Sequence, residues 1–482
     1  MNTRAVLHLI SFMLMVLAFA MLACMGVAWG YDDPPEVRMA LLWSALSVFL
    51  TGGIMWSLTR VPVELSRRDG FGIVTFGWLA AGLAGALPYI FSGVISQPVS
   101  AFFESVSGLT TTGASVLTNL ESVPRGILFW RALTHFFGGM GVLILCVAII
   151  PFLGVGGMQI YRAEMPGPSK DRLTPRIATT AKLLWAVYVL LCILQTGLLM
   201  LGGMTLFDAV CHAFATMATG GFSTRTASVG AFNSVYIETV TIVFMFLAGV
   251  NFSLHYRALA GNWRGYFRDS EFRFYCAIWL SACLILSLVT WGSVYDSIGA
   301  ALRAGFFQGT SILTTTGFVT EDFDQWPGAA RVLLVLLMFL GGCAGSTGGG
   351  MKHLRIMVVL KETQRQVVLF MRPQAVVKVK IGARPLGQSA VSNIVAFFVL
   401  FLLLFAVNTL LMTVFTPDLK TALASVIATM GNIGPGLGGV GPMEIYASIP
   451  EAGKLLLVFC MLLGRLELYT VLIVLLPGFW KR

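Results

Sequence analysis

Charge is scarce in this chain. Only 11% of its 482 residues are Asp, Glu, Lys or Arg, against roughly a quarter in a soluble domain, while 57% are hydrophobic. The polar stretches between apolar runs are too short to fold alone, which excludes a soluble globular protein and implies a multi-pass membrane protein. Catalytic signatures are missing as well. The five histidines (His8, His135, His212, His255, His353) are dispersed, and neither H-E-x-x-H nor G-x-S-x-G occurs, which argues against an enzyme. No Walker or dinucleotide fingerprint is present, so no intrinsic nucleotide site is expected. The eight cysteines lie in apolar segments without C-x-x-C spacing and read as small core residues.

The chain is rich in apolar runs and in basic residues on one side of them. The start, "MNTRAVLHLISFMLMVLAFAMLACMGVAWG", has the order of a signal peptide, yet its apolar stretch is long enough to span a membrane and a second run follows after a short acidic loop. An uncleaved first helix is expected, with a cleaved signal as the alternative. The net charge of +10 invites a nucleic-acid reading, but 23 of the 32 Lys and Arg fall at the termini and in alternate loops. That is the positive-inside pattern, which puts both termini of a multi-pass membrane protein in the cytoplasm and leaves no role for nucleic acid.

A self-comparison gives the architecture. One unit recurs four times: an apolar helix, a shorter semi-polar helix, a Thr/Gly loop and a second apolar helix. The four loops read "TTTGAS", "ATGGFS", "TTTGFV" and "GNIGPG", sharing Gly113, Gly221, Gly317 and Gly434. Nine residues before each shared glycine stands a polar side chain: Glu104, His212, Gln308 and Ser425. Downstream, the second helices repeat "HFFGG", "MFLAG", "MFLGG" and "MLLGR". Each unit starts and ends at a basic segment, so the repeats are parallel rather than inverted. The expected fold is an all-α membrane protein with four parallel helix–pore loop–helix units around a pseudo-fourfold pore, preceded by an N-terminal helix pair. Expected boundaries are 1–70 for the pair, then 71–155, 156–260, 261–360 and 361–482 for the units.

The short helix plus its loop cannot cross roughly 30 Å at 1.5 Å per residue and must return to the face it entered. Such a segment is tolerated at membrane depth only where it is buried in protein or lines an aqueous cavity. A permeating ion needs ligands to replace its water, and rings of backbone carbonyls are the known solution for potassium. Glycine allows successive carbonyls to face one axis. Four filter walls are therefore assigned: Thr110, Thr111, Thr112 and Gly113; Ala218, Thr219, Gly220 and Gly221; Thr314, Thr315, Thr316 and Gly317; Gly431, Asn432, Ile433 and Gly434. The fourth wall departs most, which is harmless if backbone oxygens do the work. Two readings stand for Glu104, His212 and Gln308: filter support by hydrogen bonds to the back of the loops, or interface residues satisfied by local backbone.

Two further features stand out. Six of the ten residues in "GGCAGSTGGG" are glycine, inside what is otherwise a spanning helix. Glycine costs about 1 kcal/mol per helical residue relative to alanine, so a non-helical segment is expected, with close helix packing as the alternative. Arg465, in "MLLGRLELY", aligns with Gly139, Gly249 and Gly342 of the sibling helices. It is either a fixed positive charge beside the ion path or half of a salt bridge with Glu467. The candidate gate comprises Gly345, Ser346, Thr347, Gly348, Gly349, Gly350 and Arg465.

The four loops together with "MLLGRLELY" and "GGCAGSTGGGMK" resemble the Trk/Ktr/HKT superfamily of potassium transporters, within it the membrane subunits of bacterial Trk systems (TrkH/TrkG type). The resemblance covers nearly the whole chain. It implies potassium as the transported ion and metal bound at the filter residues, a homodimer in the membrane lipid of the bacterial inner membrane, and a cytosolic nucleotide-binding partner of the TrkA type. The segment from Lys352 to Arg384, with eight basic residues, is then the docking candidate, or simply a solvated positive-inside loop. Symport of potassium with protons or sodium is the alternative; no acidic residue recurs in the four loops, which favours channel-like conduction. In relatives that favour sodium the first filter glycine is commonly serine. Gly113→Ser is thus expected to let sodium compete in flux measurements, and an unchanged potassium/sodium ratio would contradict it.

Overall fold

The computed structural model describes residues 1–59, 66–141, 177–382 and 384–480. It is helical apart from a two-residue ribbon in which Lys380–Ile381 pairs antiparallel with Arg384–Pro385. Among the described residues, six helices are long and apolar enough to cross a membrane, or up to eight if each of two bent pairs counts as one span. Seven cysteines are described, all of them free thiols.

The chain begins with two packed helices, Thr3–Gly30 and Pro35–Leu58. Four units follow, each with an outer, a pore and an inner helix. The outer helices are Arg67–Phe91, Ile177–Leu201, Ser270–Thr290 and Gln388–Met412. The pore helices are Pro98–Leu109, Leu206–Met217, Ile298–Leu313 and Leu419–Met430. Twelve residues, the length of three of them, rise only about 18 Å, too little to cross a membrane core of roughly 30 Å. Three begin with a polar cap: Thr205, Ser297 and Asp418 accept from backbone N–H groups three residues on, while the first starts on Pro98.

The inner helices are Arg125–Gly139, Val235–Ala248, Gly328–Met338 and Glu451–Arg465. Each packs against the pore helix of the next unit, and the fourth packs against the first, which closes a ring. The first, second and fourth stop at the register of the repeated small-residue motif, and the third stops earlier, at Met338. The second turns by 102° into Phe252–Leu259 and the fourth by 120° into Leu468–Leu475. The third gives way to an irregular segment before His353–Met371. The interruption expected for the third helix thus recurs in the second and fourth, and among these three the break of the third is the longest.

The expected boundary at 70 falls within the first turn of Arg67–Phe91, and that at 360 within His353–Met371, which continues the third inner helix. The boundary at 155 lies outside the described residues.

Candidate functional site: a ring of four loops

Each pore helix ends on the first filter residue, so Thr110, Ala218, Thr314 and Gly431 are its C-caps. These caps have φ between −80° and −76°. The second residue then turns left-handed in every unit: Thr111 (φ 53°), Thr219 (55°), Thr315 (62°) and Asn432 (53°). The fourth residue does so again: Gly113 (79°), Gly221 (77°), Gly317 (79°) and Gly434 (98°). Alternation in the sign of φ lets successive carbonyls of an extended segment share one side, where a regular strand would alternate them.

The N–H groups point the other way. In each unit the third residue donates to its own pore helix: Thr112 to Ser107 (2.9 Å), Gly220 to Ala215, Thr316 to Ser311 and Ile433 to Ala428 (each 2.8 Å). The first and second residues also donate backward into that helix. Donors are thereby consumed by the pore helix behind each loop. The negative ends of four helix dipoles converge on the same place, which favours a cation there.

The loops close on one another. A Cβ on Gly113 would strike the Gly220 carbonyl, one on Gly221 the Thr316 carbonyl, one on Gly317 the Ile433 carbonyl, and one on Gly434 the Thr112 carbonyl. Each glycine seats on the third residue of the following unit, and the fourth returns to the first. This contact requires glycine twice over, for the positive φ and for the absent side chain.

The proposed supports reach the loops in three units. Glu104 accepts from the Ser115 hydroxyl and the Val116 N–H, both at 2.9 Å, and from Arg131 Nε at 2.8 Å. His212 Nε2 meets the Ser223 hydroxyl at 2.9 Å. Gln308, with its amide oxygen turned to the loop, accepts from the Thr320 N–H at 2.9 Å. Ser425 bonds Ala422 of its own helix instead, and in that unit the Tyr446 hydroxyl donates to the Gly434 carbonyl at 2.6 Å.

Sequence reasoning missed Arg131. It is 2% exposed, and besides Glu104 it donates to the Ser223 carbonyl (3.1 Å), joining the first two loops. The signal was available: an arginine within an apolar inner helix, the criterion that singled out Arg465. Similar ties join other units, Glu238 to Arg303 (2.6 Å) and Asp324 to Lys420 (2.6 Å).

Beneath the ring, the irregular segment after Gly328–Met338 folds back on itself, with Gly341 N–H donating to Met351 O (2.9 Å). Gly345 and Gly350 have positive φ (79° and 61°). Gly349 N–H donates to the Thr315 hydroxyl at 2.7 Å, and Gly349 lies directly against Gly431 and Asn432. Thr347 reaches the second inner helix through its hydroxyl and Ala248 O (3.2 Å). Arg465 donates to Thr347 O (2.7 Å), to Gly139 O (3.1 Å) and to Gly138 O. Its expected alternative partner, Glu467, is paired with Arg355. The segment 345–350 and Arg465 thus lie together, extending from the third and fourth loops toward the first inner helix. Ser346, Gly348, Gly349 and Arg465 line a cavity with about 100 Å³ of room for water. No group of three or more His, Cys, Asp or Glu suited to a metal occurs among the described residues.

A family model described as "TrkH: Cation transport protein" matches residues 39–477. Similar proteins include the Trk system potassium uptake protein TrkH of Salmonella typhimurium, 43% identical over all of both chains. TrkG of Escherichia coli is 36% identical, also over all of both chains, and TrkI of Halomonas elongata is 33% identical over 99% of this chain and 97% of its own. Among solved structures, the crystal structure of the potassium transporter TrkH from Vibrio parahaemolyticus superposes with a TM-score of 0.90 at 38% identity over all of both chains.

Removing one member of a buried ion pair costs about 3–5 kcal/mol. Arg131→Met is therefore expected to lower the unfolding temperature in detergent, and Arg131→Met with Glu104→Gln to lower it by less than the two single changes combined. Additive losses would show that the pair does not tie the loops.

Proposed function

The chain belongs to the TrkH family of cation transport proteins, and from that membership we propose that it takes up potassium through a channel-like pore filtered by the four-loop ring. The observation that carries this reading is the ring itself: alternating φ in all four units, with each glycine seated on its neighbour's carbonyl. Carbonyl oxygens around the axis replace the water an entering ion sheds, and converging helix ends offset its charge. The third wall position is Thr in two units, Gly in one and Ile in another, which a filter built from backbone oxygens tolerates. As a member of a transport family the chain is a transporter rather than an enzyme, and potassium is its substrate, not a resident cofactor.

Below the filter, segment 345–350 and Arg465 form the gate. Arg465 places a fixed positive charge by the cavity, and its guanidinium spans from Thr347 to Gly138 and Gly139. A cation leaving the filter meets that charge before it meets bulk water, so the loop and the arginine must move together for flow. The cytosolic helix His353–Met371 continues directly from the loop, and a TrkA-type partner docked on the basic segment after Lys352 would move it. The protein works as a homodimer in the bacterial inner membrane with both termini cytoplasmic. Uptake is driven by membrane potential rather than symport, since no acidic side chain stands in any filter wall.

In liposomes holding the purified protein, Arg465→Ala is expected to raise basal potassium flux several-fold, and deletion of Gly348, Gly349 and Gly350 to raise it further. Unchanged or lower flux in well-folded variants would contradict the gate. Uptake that required a proton or sodium gradient would contradict channel-like conduction.

A further inference from the structure

Glu271 lies in the first turn of the outer helix Ser270–Thr290 and is 7% exposed. A carboxylate buried there needs a strong reason, because burial strips the water that stabilises its charge. Its Oε1 accepts from two backbone donors, Ala344 N–H at 2.6 Å and Leu354 N–H at 3.0 Å. Ala344 immediately precedes the gate segment 345–350. Leu354 follows it, as the second residue of the helix His353–Met371. One oxygen therefore holds both stems of the loop.

The second contact also serves as a cap. The residue before that helix, Lys352, makes no side-chain capping bond. The first N–H groups of any helix lack partners within it, and a negative charge there suits its dipole. Glu271 supplies both from a different helix of the same unit. The stems are joined to each other besides, by Met351 N–H to Phe339 O (3.2 Å) and His353 N–H to Gly342 O (3.3 Å).

The chain between the stems keeps two contacts within its own unit, Gly349 N–H to the Thr315 hydroxyl at 2.7 Å and Lys352 Nζ to the Gly348 carbonyl, and adds contacts to other units. Its ends are the positive-φ residues Gly345 and Gly350, and Thr347 and Gly349 reach groups of other units: Ala248, Arg465 and Asn432. Positive-φ glycines can change dihedral at low cost. We infer that Glu271 is a positioning residue that staples the two stems of the intramembrane loop and caps the cytosolic helix, so that opening is confined to the segment between Gly345 and Gly350. The staple gives a pull on His353–Met371 a fixed point of delivery, the Leu354 N–H, and keeps the stems in place while the middle of the loop moves. This deepens the gate assignment above and rests on it.

Hydrogen exchange of the full-length protein, with basal potassium flux measured on the same preparations, tests the staple. In Glu271→Ala, exchange across residues 343–355 is expected to rise at least tenfold at the stem amides while the filter loops keep their protection, and basal flux to rise several-fold. Glu271→Gln, which retains an acceptor oxygen without the charge, is expected to fall between it and the native chain. Stem amides that stay protected in both variants would overturn the staple whatever the flux does. Freed stems without leak would overturn the gating role of Glu271 alone if the loop deletion still leaks. If the deletion does not leak either, the gate assignment falls with it.

Discussion

The structure depends on a contact that tolerates no side chain: the seating of each filter glycine on the carbonyl of the next unit. Four such contacts, from Gly113 to Gly220, Gly221 to Thr316, Gly317 to Ile433 and Gly434 back to Thr112, close a ring that no single unit can form. The ring fixes the rest by geometry. The pore helices must be short enough to deliver loops to mid-membrane, and each inner helix must cross behind its neighbour's pore helix. Gly139 allows this crossing at the first seam, because a side chain there would strike Ala218 at the end of the second pore helix, while Gly138 and Gly464 let the first and fourth inner helices close on the Leu109 and Met430 carbonyls of their own pore helices.

The ring carries strain. Thr111, Thr219 and Thr315 sit at positive φ, a conformation that costs a non-glycine residue of order 1–3 kcal/mol, with Asn432 better suited to it. Backward hydrogen bonds into the pore helices offset this, at about 1 kcal/mol net each, as do the buried polar supports. The supports are not equivalent in the four units. The first uses an ion pair shared with the second loop, the second a histidine, the third an amide, and the fourth a tyrosine from outside the pore helix. A fourfold backbone is thus held by four different chemistries, as expected when selection acts on carbonyl position and leaves each back side to its local packing.

Much of this was legible in the sequence, for a physical reason. Repetition exposes any position where the backbone forbids a side chain, so the four glycines and the polar residues nine places before them align without the structure. The place of Arg465 by the glycine segment followed from the same alignment, because equal register in parallel repeats means equal depth. Two things were less legible. Breaks in the second and fourth inner helices carry no run of glycine; the fourth turns at Glu467 (φ 60°), a conformation its sequence does not advertise. Contacts between distant segments, such as Glu271 with Ala344 and Leu354 or Arg131 with Ser223, depend on which unit lies beside which, and no local pattern encodes that.

The central claim is that four backbone loops hold the ion on their common axis. Crystals grown with rubidium in place of potassium, and measured at the rubidium absorption edge, test it most directly. The account predicts anomalous density on that axis at the level of the Thr112, Gly220, Thr316 and Ile433 carbonyls. Rubidium bound only away from the axis, or held by side-chain carboxylates, would contradict it.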